Sequence, residues 1–161
     1  MRQGWITVEG GAVWYKIAGA GERTPLLALH GGPGYPHDYL APLEALSDER
    51  PVVFYDQLGC GRSGRPQNDP SLWVVERFVR ELARVREALG LGRVHLFGHS
   101  WGSMLAVDAL LDGARGVDSL VLASPALSIP RWLSDAARLR LLLPAHVQAV
   151  LEGHEAAGTT G

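Results

Sequence analysis

Val94-His95-Leu96-Phe97-Gly98-His99-Ser100-Trp101-Gly102 runs from an apolar strand directly into a Gly-x-Ser-x-Gly pattern. The residues that follow, Trp101 to about Leu111, read as a helix. A serine held in a sharp turn between strand and helix lifts its oxygen above the end of a sheet, and only glycine tolerates the crowding on either side. Five residues alone arise by chance too often in a glycine-rich chain to carry a conclusion. Their position between one strand and one helix makes Ser100 the candidate nucleophile.

Working outward, Pro25 to Leu29, Pro51 to Tyr55 and Leu120 to Ala123 are further continuous apolar runs bounded by turn residues. Such runs suit strands buried on both faces of a parallel sheet. Near the start, Trp5-Ile6-Thr7-Val8 and Val13-Trp14-Tyr15-Lys16-Ile17 flank Gly10-Gly11, the chemistry of a hairpin. A helix is expected from about Trp73 to Leu89, with Val75, Phe78, Val79, Leu82, Val85 and Leu89 on one stripe. Glu76, Arg77, Arg80, Glu81, Arg84 and Glu87 take the other face, Glu76 and Arg80 pair at i, i+4, and Gly90 caps the end. A shorter helix is expected near Leu40 to Leu46. Strands alternating with helices make a doubly wound α/β sheet. After Pro125 the pattern turns helical, through Leu143 and again from Pro144 to Glu155, with no strand returning.

The chain has 161 residues and a mass of 17.3 kDa, the size of one ordinary domain. Hydrophobic residues at 47% and charged ones at 20% are a globular composition. The net charge of −2, without a Lys/Arg cluster, argues against nucleic acid. A lone Cys60 cannot form an intrachain bridge, and no run approaches a membrane span or a signal peptide. The expectation is a soluble cytoplasmic protein without nucleic-acid or membrane partners, and with no metal and no cofactor.

Upstream, His30-Gly31-Gly32-Pro33-Gly34 follows a strand. Acyl transfer needs N–H donors aimed at the developing oxyanion, and a glycine-rich turn brings a backbone N–H close without obstruction. Gly32 and the amide of Trp101 form the expected oxyanion hole, and Pro33 is a candidate for a cis bond. A competing signal, Gly59-Cys60-Gly61-Arg62-Ser63-Gly64, spells a dinucleotide fingerprint. Arg65-Pro66-Gln67-Asn68-Asp69-Pro70 follows it, so no helix can open there to receive a pyrophosphate. The segment reads instead as a loop through which Asp56 and Arg62 brace the floor of the site. Cys60 reads as a structural thiol, His99 as a packing residue pointing away from Ser100, and His146 and His154 as helix-surface residues. Of the tryptophans, Trp101 alone is expected at the site.

Taken together, His30-Gly31-Gly32-Pro33-Gly34, Asp56-Gln57-Leu58-Gly59-Cys60-Gly61-Arg62-Ser63 and Gly98-His99-Ser100-Trp101-Gly102 resemble the proline iminopeptidase family of α/β-hydrolases. The resemblance runs from about Trp5 to the end. It implies an α/β-hydrolase fold and a serine hydrolase that removes an N-terminal residue, often proline, from peptides or cleaves small amino-acid amides. Two residues depart from the pattern: His99, where many members have glycine, and Leu58, where arginine is common. The resemblance also implies that residues 1–125 form the N-terminal half of the core, with its mostly parallel sheet, and that residues 126–161 begin a helical cap.

In this fold the triad acid and histidine follow later strands. After Ser100 come only Asp108, Asp112, Asp118, Asp135, Glu152, Glu155, His146 and His154, none placed in that way. The expected partners are therefore a small peptide or amino-acid amide and a C-terminal complement carrying the triad Asp and His. Rival readings are a carboxylic ester hydrolase, or an inactive half that serves as a binding or assembly module.

Overall fold

The structure, a computed structural model, describes residues 1–66 and 69–159. The chain divides into two compact units, 1–125 and 126–161.

The first unit is built on a six-stranded sheet in the order β1-β2-β4-β3-β5-β6. β1 (Arg2–Val8) and β2 (Gly11–Ala18) form the hairpin. Val8 faces Gly11, so the turn is Glu9-Gly10, and Gly11 is already strand. β2 joins β4 (Val52–Tyr55) antiparallel, while β3 (Leu26–Leu29), β5 (Val94–His99) and β6 (Val117–Ala123) continue the sheet in parallel. Every residue of β3 and β4 is buried. Successive side chains point to opposite faces. Leu27, Leu29, Val53 and Tyr55 pack into one core, with Phe78, Leu82, Val85, Leu105 and Ala109 of the helices. Leu26, Ala28, Val52 and Phe54 pack into a second, with Leu40. Two covered faces explain why these strands read as unbroken apolar runs.

β6 departs from that expectation. Among the described residues it pairs with β5, and all of its residues are half-buried or exposed, Val121 among them.

The helix after β4 is α1 (Val75–Ala88), shorter at its start than the periodicity implies because Pro70–Leu72 forms a separate 3-10 turn capped by Asp69. Its end follows the glycine signal. Gly90 has φ +68, its N–H donates to Glu87 O at 3.1 Å, and Leu91 N–H donates to Arg86 O at 2.8 Å, the paired bonds of a Schellman end. The polar face differs from the expectation at two residues. Arg77 and Glu81 are fully buried and ion-paired to each other, with the guanidinium 4.0 Å from the Phe78 ring centre. Opposite charges one turn apart neutralise each other, so two residues that look solvent-facing can enter the core. Burial pushes the Glu81 carboxyl up, against the pull of Arg77 and of the Leu58 N–H. Arg80, expected to pair with Glu76, instead forks onto Glu9 of the hairpin turn at 2.8 and 3.0 Å.

The expected short α-helix near Leu40 is a 3-10 helix over His37–Asp48. Pro42 lies inside it, and a proline lacks the N–H and clashes with the carbonyl an α-helical turn earlier. α2 (Trp101–Leu111) follows β5 directly.

In the second unit, α3 (Ile129–Arg140) starts at Ser128, whose hydroxyl accepts from Arg131 N–H, with Pro130 in the first turn. α4 (Ala145–Ala156) starts after Pro144. Arg140 ties the two through Glu155 at 2.7 and 2.8 Å. Among the described residues, no helix is long and apolar enough to cross a membrane.

Candidate active site

Ser100 occupies the turn between β5 and α2 with φ +52 and ψ −116, a backbone conformation that costs on the order of 1–3 kcal/mol for a residue other than glycine. Its surroundings hold it there. Ser100 N–H donates to Ala123 O at 2.9 Å, and the Ser103 hydroxyl donates to Gly98 O at 2.6 Å. Glycine at 98 and 102 is a matter of space. A Cβ on Gly98 would lie 2.7 Å from the Ser103 Cα, and one on Gly102 would lie 2.6 Å from the Leu29 carbonyl carbon and 2.8 Å from His30 O. The elbow can thus press α2 against the end of β3. The Ser100 side chain does not cap α2, which leaves the first N–H groups of that helix open to an incoming oxygen.

The glycine turn after β3 sits beside the elbow. Gly32 has φ +123, and the Gly32–Pro33 bond is cis. Gly31, Gly32, Tyr35, Tyr39, His99 and Ser100 surround one cavity of about 310 Å³. Three of the residues singled out in the sequence, Gly32, His99 and Ser100, therefore share a wall. The Trp101 side chain faces a second cavity of about 470 Å³, with Leu58, Cys60, Trp73 and Phe78. Its ring lies edge-on to Phe78, 5.5 Å between centres.

Below this surface, hydrogen bonds join the three motifs. His30 is fully buried, and burial is the main cause that lowers its pKa. Its Nε2 accepts from Gln57 N–H at 2.9 Å, so the ring proton resides on Nδ1, which donates to Gly31 O at 2.9 Å. The Gln57 side chain donates to His30 O at 3.1 Å and accepts from the Trp101 Nε1–H at 2.9 Å. Gln57 thus links the glycine turn, the strand-end loop after β4 and the elbow.

The brace expected from Asp56 and Arg62 takes a different form. Asp56 accepts the Arg62 backbone N–H at 2.9 Å, and its other oxygen takes the His37 N–H at 2.9 Å and His37 Nδ1 at 2.8 Å. Burial pushes the Asp56 carboxyl up, but these bonds outweigh it and hold the pKa below the usual value. The Arg62 side chain instead lies over Trp14, 4.5 Å from the ring centre. The Gly-x-Gly-x-x-Gly segment closes on itself, with Gly59 N–H donating to Gly64 O at 2.9 Å. Of the segment after it, Gln67 and Asn68 lie outside the described residues. Cys60 is buried, and burial drives its thiol up to about 11, the environment of an inert sulfur.

His99 does more than fill space, since Tyr39 Oη lies 2.9 Å from its Nδ1. His146 and His154 are exposed on α4. Trp14 is buried and Trp5, Trp73 and Trp132 are exposed. The sequence reading assigned no role to Tyr39, His37, Gln57 or the Arg77–Glu81 pair. Only Gln57 had a visible signal, its place beside Asp56 at the end of an apolar strand.

A family profile described as the alpha/beta hydrolase fold matches residues 24–154. Proline iminopeptidase from Heyndrickxia coagulans is 47% identical over 159 residues, covering 98% of this chain and 55% of that protein. Among solved structures, VinJ superposes with a TM-score of 0.92 at 40% identity, covering 99% of this chain and 55% of the other. Proline iminopeptidase from Mycobacterium smegmatis superposes with a TM-score of 0.87 at 37% identity, covering 98% and 55%. The chain spans about half the length of the curated relatives it matches. Because the profile match extends from the approach to β3, past the serine turn and into α4, the chain belongs to the α/β-hydrolase fold family.

Proposed function

We propose that this chain carries the nucleophilic half of a serine aminopeptidase. The substrate is a short peptide, from which an N-terminal residue, proline favoured, is released, or a small amino-acid amide. The observation that carries this reading is the strained backbone of Ser100, set between Gly98 and Gly102 at the mouth of α2 and beside the Gly31-Gly32 turn. The names of the relatives supply the substrate class.

In the proposed reaction Ser100 Oγ attacks the carbonyl carbon of the scissile amide while its proton passes to a histidine. The carbonyl oxygen becomes an oxyanion held by the N–H groups of Gly32 and Trp101, which act mainly in the transition state. The C–N bond then breaks as the same histidine returns the proton to the leaving amine. Water, deprotonated by that histidine, cleaves the acyl-serine ester and restores Ser100. Among the described residues His30, His37 and His99 are engaged by Gln57, Asp56 and Tyr39. The general base and its carboxylate are assigned to a C-terminal complement, and residues 126–161 to the start of a helical cap.

The test uses the whole protein with a fluorophosphonate and a set of prolyl, alanyl and leucyl anilides beside short acyl esters. Ser100 should take the label, Ser100→Ala should abolish turnover, and the prolyl anilide should be the best substrate. Labelling elsewhere, or turnover that survives the alanine change, removes Ser100 from the mechanism. Esters turned over faster than every anilide would replace the aminopeptidase reading with ester hydrolysis.

A further inference from the structure

The cavity at Ser100 is bounded by a hydrogen-bond chain that the mechanism above does not use. Gly31 N–H donates to Tyr39 Oη at 2.6 Å, and Tyr39 Oη lies 2.9 Å from His99 Nδ1. A phenol has one proton. The amide can only donate, so the hydroxyl accepts from Gly31, and its own proton remains to be given to His99 Nδ1 when the ring proton of His99 is on Nε2. The two rings meet at 65° with 5.3 Å between centres, so the contact is packed as well as bonded. Gly31 fills the notch between them. A Cβ there would lie 3.1 Å from His99 Nδ1 and from Tyr39 Oη, and 3.2 Å from His99 O.

We infer that Tyr39 is a positioning residue for the oxyanion hole: its hydroxyl captures the Gly31 amide and ties the glycine turn to His99, leaving the Gly32 amide to face the reacting carbonyl. This rests on the reading of Ser100 as the nucleophile. Two consecutive N–H groups in a glycine turn compete for the same oxygen unless one is fixed, because glycine peptides rotate with little steric resistance. Tyr39 fixes the first. It comes from a different element, the 3-10 helix His37–Asp48, so the tie joins two segments that line the cavity with Ser100. His99 supplies the acceptor that orients the phenol, which gives the residue before the serine a polar duty that a glycine there could not perform.

Tyr39→Phe removes one oxygen and keeps the ring, so it tests the tie with little change in packing. In the whole protein, kcat on the prolyl anilide should fall by about tenfold to a hundredfold, less than the loss of a donor outright, with KM within about twofold. His99→Gln, which keeps an acceptor for the phenol, should retain more of kcat than His99→Leu. The double variant Tyr39→Phe/His99→Leu should be no slower than the slower single, because both break one chain. A Tyr39→Phe enzyme with unchanged kcat, a KM effect without a kcat effect, or additive losses in the double variant would each overturn the assignment. Fluorophosphonate labelling checks the parent reading separately. A wild type that labels at Ser100 but whose Tyr39→Phe variant turns over normally refutes Tyr39 alone, whereas failure of Ser100 to label refutes both.

Discussion

Gly102→Ala separates two opposing effects whose sizes are known. Alanine in place of a helical glycine gains about 0.5–1 kcal/mol by restricting the unfolded chain. Here the added Cβ would lie 2.6 Å from the Leu29 carbonyl carbon and 2.8 Å from His30 O, and closer still to Leu29 O. These are main-chain atoms at the end of a fully buried strand, so no side-chain rotation relieves the contact. Overpacking of this kind costs about 1–3 kcal/mol, and the clash wins. Net destabilisation of up to about 2.5 kcal/mol is expected. Relief requires α2 to retreat from β3 by roughly 1 Å, carrying the Trp101 amide with it, and a displacement of that size lowers kcat by about 10²-fold. The assay is urea unfolding of the whole protein beside turnover of the prolyl anilide. Gly153→Ala is the control, since a Cβ there meets nothing within 4 Å on α4; it should raise stability by about 0.5–1 kcal/mol and leave turnover alone. A Gly102→Ala protein as stable and as fast as the wild type would show that α2 does not depend on this close approach.

Breaking the buried Arg77–Glu81 pair with Glu81→Gln should cost about 3–5 kcal/mol, because it strands a guanidinium in the core. A loss of unfolding free energy below about 1 kcal/mol in urea titrations would mean that the pair is solvated. Lowering pH through the ordinary histidine range should destabilise the fold through His30. Its folded pKa is depressed, so the unfolded chain takes up a proton from about pH 6.5 downward while the folded chain does not until lower pH. His30→Gln should therefore show a shallower loss of stability between pH 7.5 and 5.5, each pH being a chosen condition, and equal slopes for the two proteins would contradict the assignment.

Much of the core was legible because periodicity reports burial directly. The unbroken apolar runs at Leu26–Leu29 and Val52–Tyr55 are strands covered on both faces, and Gly90 ends its helix with the bonds its position implies. Reading failed where a side chain's environment is set by residues distant in sequence. Arg77 and Glu81 carry the letters of a solvated face, and only their pairing lets them be buried. Arg80 turned from Glu76 to Glu9, 71 residues away, because the hairpin turn offers a fork-shaped contact there.

The sequence by itself determined the order of the elements, the strand–serine–helix junction and the glycine-rich turn, since each is encoded within a dozen consecutive residues by backbone sterics and local periodicity. It also named Ser100 as the candidate nucleophile with Gly32 and Trp101 as the oxyanion donors, and read His99 as a packing residue. Only the tertiary structure decided that Gly31 N–H belongs to Tyr39, that Gln57 joins His30 to Trp101, and that Asp56 is held by His37 and the Arg62 backbone. Those bonds cross between strands, turns and helices. Hydrogen-bond partners are chosen by proximity and by the absence of competing water, and neither exists until the sheet has formed.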